Sequence, residues 1–201
     1  MRSIGVIGGS FDPVHYGHIC LAEDARDMAS LDKVVFMPAR FQPFKLDRDI
    51  TSGKDRSAML EIAVKDEPDL TVSTLELDAE RISYTYLTLR ELRTKYGSDD
   101  RIYFITGTDT FIELSTWYKG ADILAENGIV VGIRPGYKED EVWRKEAHYR
   151  KSFGTDVKII HNRRLDISST AIREKIMKGE STGGMLPDKV RDYIDEHGLY
   201  K

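Results

Sequence analysis

The chain has 201 residues, 40% hydrophobic and 32% charged, the balance of an ordinary globular protein with room for one domain and a sizeable core. Its net charge of −4 weighs against broad nucleic-acid binding, which wants a basic surface, yet leaves room for a small anionic substrate in a locally basic site. A single cysteine, Cys20, excludes an internal disulfide framework. No apolar run approaches the about 20 residues needed to cross a bilayer. Met1-Arg2-Ser3-Ile4 enters a strand at once rather than a signal peptide, so the chain reads as cytoplasmic, with no membrane partner.

The first apolar run, from Ile4, ends in Gly8 and Gly9. A turn follows on Ser10, Asp12 and Pro13, then His15 and His18. From His18 onward Ile19, Ala22, Ala25 and Met28 recur at helical spacing. The reading is strand, Gly-rich turn, helix, with two imidazoles where the helix begins. Cys20, inside that helix, reads as a small core residue. Further along, Lys33–Pro38 is a strand, 57–64 helical and 70–75 a strand. Thr85–Tyr96 is a helix stopped by Gly97, and 101–106 is a buried strand. Residues 117–127 read as helical and 129–133 as a strand closed by Arg134-Pro135-Gly136. Residues 157–160 form a short strand, and 170–178 and 187–197 are helices. The polar stretch 41–54 lacks a clear period and reads as mobile. The charged stretch 136–152 reads as a solvated helix in its middle.

Strands alternating with helices imply right-handed βαβ units, hence a Rossmann-like, doubly wound, mainly parallel α/β sheet with helices on both faces. Ligands in such sheets sit beyond the C-terminal strand ends. The turn at Gly8, the stretch 38–45, the turn 107–110 and Arg134 all follow strands, so they are expected to meet on one edge.

There is no G-x-x-x-x-G-K-[ST] loop and no G-x-G-x-x-G after the first strand, so phosphate has to be met another way. A helix start attracts phosphate through its free N–H groups, and two histidines beside it can donate to charge building on phosphorus. At the other end of the sequence, Ser168, Ser169 and Thr170 lie at a second helix start, with Arg173 one turn on.

Gly8-Gly9-Ser10-Phe11-Asp12-Pro13-Val14-His15-Tyr16-Gly17-His18 resembles the H-x-G-H signature of the Rossmann-like nucleotidyltransferases, and more closely their nicotinate-mononucleotide adenylyltransferase branch. The stretch from Ile167 to Arg173 is similar to the I-S-S-T-x-I-R motif of the same family. The resemblance implies adenylyl transfer from ATP to nicotinate mononucleotide, giving deamido-NAD and pyrophosphate. On that resemblance His18, His15 and Arg173 are the expected catalytic residues. ATP is expected to lie against Gly8, Gly9, Ser10, Phe11, Gly107, Asp109, Arg134 and Ser168–Thr170 besides those three. The mononucleotide is expected at Lys45, Thr85, Asp109, Trp117 and Tyr118, with Trp117 stacking on the pyridine. Phe44 departs from the pattern, which commonly has histidine there.

Mg²⁺ is expected with ATP, carried mainly by phosphates and water. His15 and His18 lack a third ligand at zinc spacing, so no protein-held metal is expected. A homo-oligomer is compatible with the sequence. A sister enzyme acting on nicotinamide mononucleotide or phosphopantetheine, or a non-catalytic nucleotide sensor, remains the alternative.

Overall fold

The computed structural model describes residues 1–40, 50–97, 99–133, 138–163 and 165–201. Among them the strands are β1 (Ser3–Gly9), β2 (Lys33–Pro38), β3 (Leu70–Val72), β4 (Arg101–Gly107), β5 (Gly128–Ile133) and β6 (Val157–His161). The helices are α1 (Tyr16–Met28), α2 (Gly53–Val64), α3 (Leu75–Asp78), α4 (Thr85–Tyr96), α5 (Thr108–Glu113), α6 (Gly120–Glu126), α7 (Glu139–Phe153), α8 (Ser169–Met177) and α9 (Asp188–Glu196). One sheet runs β3-β2-β1-β4-β5-β6, with every neighbouring pair parallel. This is the doubly wound α/β sheet expected from the alternation of elements.

The sheet separates two cores because successive strand residues face opposite sides. Val34 and Phe36 pack toward α1, α2, α8 and α9. Val35 and Met37 pack toward α4, α5, α6 and α7. Burial on both sides explains the unbroken apolar runs in β2, β4 and β5. The chain leaves β1 for one face and β4 for the other, so the strand order switches direction between them. A crevice opens at that switch, at the C-terminal strand ends.

Several boundaries differ from the sequence reading, each for a local reason. α1 starts at Tyr16, with His15 in the N-cap position, two residues before the expected start. α2 starts at Gly53 because Ser52 caps it, its Oγ accepting from Asp55 N at 3.1 Å and donating to Asp55 Oδ2 at 2.6 Å. The end of the stretch read as mobile is therefore ordered helix, while residues 41–49 lie outside the described residues.

The strand expected over 70–75 ends at Val72, and Leu75–Asp78 turns into the short helix α3. The helix expected over 117–127 is broken. A 3₁₀ turn, Leu114–Thr116, ends at Trp117, and Lys119 takes a left-handed conformation (φ 56°) before α6. α7 is not solvated all round, since Val142 and Tyr149 are buried and the Tyr149 hydroxyl donates to Phe111 O at 3.0 Å. Cys20 is only half-buried, and burial pushes its thiol pKa up, away from nucleophilic use. No helix among the described residues is long and apolar enough to cross a membrane.

Candidate functional site

Two clefts meet at the switch point. The larger, about 730 Å³, lies between the turn after β1, the ends of β4 and β5, and the start of α8. The smaller, about 380 Å³, lies between the end of β4, the turn 83–85 and the aromatic pair Trp117 and Tyr118. Both are lined by Gly8, Gly9, His18, Gly107 and Thr110. His18 thus stands where the two clefts join. The convergence of the turns after β1 and β4 on one sheet edge follows the sequence reading. Gly8 and Gly107 have no protein atom closer than 3.9 Å to where a Cβ would sit, so bare backbone faces the junction from both strands.

The two imidazoles are stacked, with centroids 3.7 Å apart and planes 25° from parallel. Gly17 makes this possible, because a Cβ there would come within 2.9 Å of His15 Cε1. The fixed glycine between the two histidines therefore has a steric cause. His15 is 5% exposed, its Nδ1 is buried without a hydrogen-bond partner, and burial pushes its pKa down to about 4. Phe11 (φ 50°) is 1% exposed and meets the His18 ring edge-on at 5.0 Å. It lines the larger cleft, where ATP is expected, and also supports the His18 ring.

The start of α8 is pinned to the turn after β1. Ser169 Oγ donates to Pro13 O at 2.9 Å, and Arg173 Nη1 donates to Asp12 O at 2.7 Å. Ser168 is the N-cap, its Oγ accepting from Ala171 N at 3.2 Å. These hydroxyls therefore work inside the protein. What the helix start offers a ligand is backbone N–H groups without intrahelical acceptors, together with the remaining guanidinium N–H groups of Arg173, whose Nη2 lies 3.4 Å from Thr170 Oγ1. Ser10 and Thr170 line the same cleft.

The smaller cleft has aromatic walls. Phe104 and Trp117 rings lie 6.2 Å apart, and Tyr84 and Tyr118 rings 4.6 Å apart. Thr85 opens α4 with Tyr84 as N-cap, so the Thr85 and Tyr86 N–H groups have no intrahelical acceptor. Asp109 stands in the first turn of α5 on the larger cleft, and its Oδ1 accepts from Lys138 Nζ at 2.8 Å. It lines that cleft rather than both. Lys45, Phe44 and Arg134 lie outside the described residues.

The sequence reading missed four contributors. Arg56 is 1% exposed and donates to Ser10 O at 2.7 Å and Thr51 O at 2.9 Å. Tyr200 donates to Asp12 Oδ1 at 2.6 Å. Arg163 lines the larger cleft but is held by Glu23 and Asp24. Glu76, 6% exposed, lines the smaller cleft. Burial marks Arg56 and Glu76, and only their tertiary partners mark Arg163 and Tyr200.

Among the described residues no cluster of three or more His, Cys, Asp or Glu could hold a metal ion. Asp12 and Asp109 are the two carboxylates among the described residues lining the larger cleft. A divalent cation fits there as a companion of a polyphosphate, not as an ion held by the protein alone.

Residues 6–175 match the family model described as Cytidylyltransferase-like. The "Probable nicotinate-nucleotide adenylyltransferase" of Thermoanaerobacter sp. (strain X514) is 38% identical over 198 residues, covering 98% of this chain and 94% of the relative. Its namesake from Clostridium botulinum (strain Alaska E43 / Type E3) is 36% identical over 201 residues, covering 100% and 99%. Among solved structures, Plasmodium falciparum nicotinic acid mononucleotide adenylyltransferase complexed with NaAD shares the fold, with a TM-score of 0.80 at 20% identity over 100% of this chain and 98% of that one. The chain belongs to the cytidylyltransferase-like family and, within it, to the nicotinate-nucleotide adenylyltransferases, which are nucleotidyltransferases.

Proposed function

We propose that the chain joins ATP and nicotinate mononucleotide into deamido-NAD with release of pyrophosphate, ATP lying in the larger cleft and the mononucleotide in the smaller. The observation that carries this reading is the position of His18 at the junction of the two clefts. A group transferred between two ligands has to pass through such a point.

A 5′-phosphate oxygen of the mononucleotide attacks the α-phosphorus of ATP. The new P–O bond forms as the bond from that phosphorus to the α,β-bridging oxygen breaks, and pyrophosphate carries away the electron pair. Nucleophile and leaving group both come from the substrates, so the protein contributes position and charge stabilisation. His18 donates to the α-phosphate oxygens as charge builds there. His15, kept neutral by burial, braces the His18 ring and offers a donor beside it. The helix start 168–170 and Arg173 hold the β- and γ-phosphates and then the departing pyrophosphate.

Gly8, Gly9, Ser10 and Gly107 let backbone approach ATP. Asp109 accepts from ribose hydroxyls, and the role toward the adenine of Arg134, a residue outside the described ones, rests on the family resemblance alone. Lys45 attracts the mononucleotide, Trp117 stacks on its pyridine, and N–H groups at Thr85 and Tyr118 take its carboxylate. Asp109 and Asp12, on the larger cleft, would help hold Mg²⁺ brought by ATP, which would supply charge neutralisation on the phosphates. One domain spanning the chain suffices for both half-sites, and ATP as co-substrate suits the cytoplasmic setting read from the sequence.

The test is a panel of nicotinate mononucleotide, nicotinamide mononucleotide and phosphopantetheine with ATP, read by pyrophosphate release and product mass. Fastest release with nicotinate mononucleotide supports the reading. Release only with phosphopantetheine overturns the substrate, and binding without release in every mixture leaves a nucleotide sensor.

A further inference from the structure

We infer that Glu76 is a positioning residue for the pyridine half-site: its buried carboxylate holds Thr88, one turn into α4, and so sets the start of α4, where the substrate's acidic group is received. This rests on the function proposed above.

Thr88 Oγ1 donates to Glu76 Oε1 at 2.6 Å, and the nearby Ser83 hydroxyl also favours the ionised carboxylate. Thr88 lies one turn into α4; Ser83 precedes its N-cap Tyr84. The carboxylate therefore grips α4 at its first turn. Ser83 Oγ in turn accepts from Arg40 N at 3.1 Å, and Arg40 Nη1 donates to Ala79 O at 3.1 Å, just past α3. The exit of β2, the end of α3 and the start of α4 are thus one hydrogen-bonded unit with Glu76 at its centre.

A carboxylate is an expensive way to line this cleft. It is almost fully buried, and an apolar side chain would pack there without desolvation cost. It also places negative charge near the intended seat of an anionic ring substituent. Burial raises its pKa, while bonds from Thr88 and Ser83, and the nearby Arg81 charge, oppose that rise. What a carboxylate supplies and an apolar group cannot is an acceptor for the buried Thr88 hydroxyl.

The sign of the kinetic effect separates positioning from mere charge. If Glu76 acted only through its charge, Glu76→Gln would relieve repulsion and lower KM for nicotinate mononucleotide. Positioning requires the opposite, because Gln replaces one carboxylate oxygen with an NH₂ and so weakens the acceptor face that holds Thr88 and α4.

The experiment measures kcat and both KM values for wild type, Glu76→Gln, Glu76→Ala, Thr88→Val and Thr88→Ser, with nicotinate and nicotinamide mononucleotides. Expected are a rise in KM for nicotinate mononucleotide of about tenfold, the scale of one lost hydrogen bond, in Glu76→Gln and Thr88→Val, and a larger rise in Glu76→Ala. KM for ATP should stay within about twofold, the acid-over-amide ratio of kcat/KM should fall by about tenfold, and Thr88→Ser should behave as wild type. Thr88→Val keeps the argument testable should Glu76→Ala fail to fold. An unchanged or lowered KM for nicotinate mononucleotide in Glu76→Gln, or equal rises in both KM values, overturns the role of Glu76. Wild-type protein that forms no dinucleotide overturns the proposed function itself, a result visible before any variant is made.

Discussion

The hydroxyl of Tyr200, beyond α9, donates a 2.6 Å hydrogen bond to Asp12 Oδ1 in the turn that leads to His15 and His18. Asp12 O accepts from Arg173 Nη1 at 2.7 Å, and Ser10 O accepts from Arg56 Nη1 at 2.7 Å. Three residues distant in sequence therefore hold one turn. Burial, and then the bond to Asp12, push the Tyr200 phenol above its ordinary pKa, so it remains a donor across the working pH range. Tyr200→Phe keeps the ring and removes the donor, leaving Asp12, 6% exposed, short of a partner. The expected cost is about 1–3 kcal/mol in denaturant unfolding, with kcat reduced more than KM for the mononucleotide is raised. Unfolding and steady-state kinetics measured side by side check this, and wild-type values in both would show the bond to be incidental.

His18→Ala should keep the fold, since the ring lies at a cleft junction rather than within a core. It should lose about 10²–10⁴-fold in kcat, roughly 3–5 kcal/mol of transition-state support. ATP affinity should fall less than kcat, because the contact strengthens as charge develops. A folded His18→Ala protein that turns over at nearly the wild-type rate would remove His18 from the chemistry.

Arg173→Ala should act mainly through the triphosphate, raising KM for ATP and lowering kcat with little change in KM for the mononucleotide. Two effects combine: a charge-assisted contact is lost, and the bond to Asp12 O that holds the turn disappears. Arg173→Lys should recover only part, since one ammonium cannot serve a backbone carbonyl and a phosphate in the fork geometry of a guanidinium. A change confined to the mononucleotide KM would show Arg173 to be misassigned.

What could be read from the sequence had a local cause. Lys33–Pro38 and Thr85–Tyr96 match the structure residue for residue, because a doubly buried strand and an amphipathic helix leave unambiguous patterns. The turn after β1 and the start of α8 carry motifs, so the larger cleft was largely readable. Glu76 was not. It reaches the smaller cleft because Ser73 and Thr74 stop β3 and one turn of helix follows, and a single turn has no period to detect. The contacts of Arg56 and Tyr200 have no local signal either, their partners at Ser10 and Asp12 being supplied only by tertiary packing. Trp117 was placed on a helix because the left-handed Lys119 has no sequence signal in a non-glycine residue.

The buried His15 gives a pH signature. Its ordinary pKa is 6.5 and burial lowers it to about 4 in the folded chain. Between those values the unfolded chain binds the extra proton, so the His15 contribution falls as pH falls through that window, by at most about 3 kcal/mol. The stability difference between wild type and His15→Asn should therefore shift in favour of the variant between pH 7 and pH 4, as followed by denaturant unfolding at several pH values. A difference independent of pH would mean that His15 titrates normally in the fold.

The last expectation concerns acid against amide. The two candidate mononucleotides differ only in a pyridine carboxylate versus a carboxamide, so a selective site must donate to an anion and offer no free acceptor. Thr85 opens α4 on the smaller cleft, where free N–H groups and the helix dipole favour negative charge. Tyr118 lies on the same cleft, between the 3₁₀ turn and α6. The sequence windows around these residues hold no acidic side chain, yet the fold brings in Glu76 from α3. Its Oε1 is engaged by Thr88, and the donors at Thr85 and Tyr118 are expected to decide. Two backbone donors to an anion, each worth about 1.5–3 kcal/mol, favour the acid strongly. The expected kcat/KM for nicotinate mononucleotide exceeds that for nicotinamide mononucleotide by at least about 100-fold, the scale of a buried donor left unmatched. Trp117→Ala should weaken both substrates alike, because stacking responds little to the substituent's charge. Comparable efficiencies for the two mononucleotides, or a preference for the amide, would refute the acid-selective site while leaving adenylyl transfer intact.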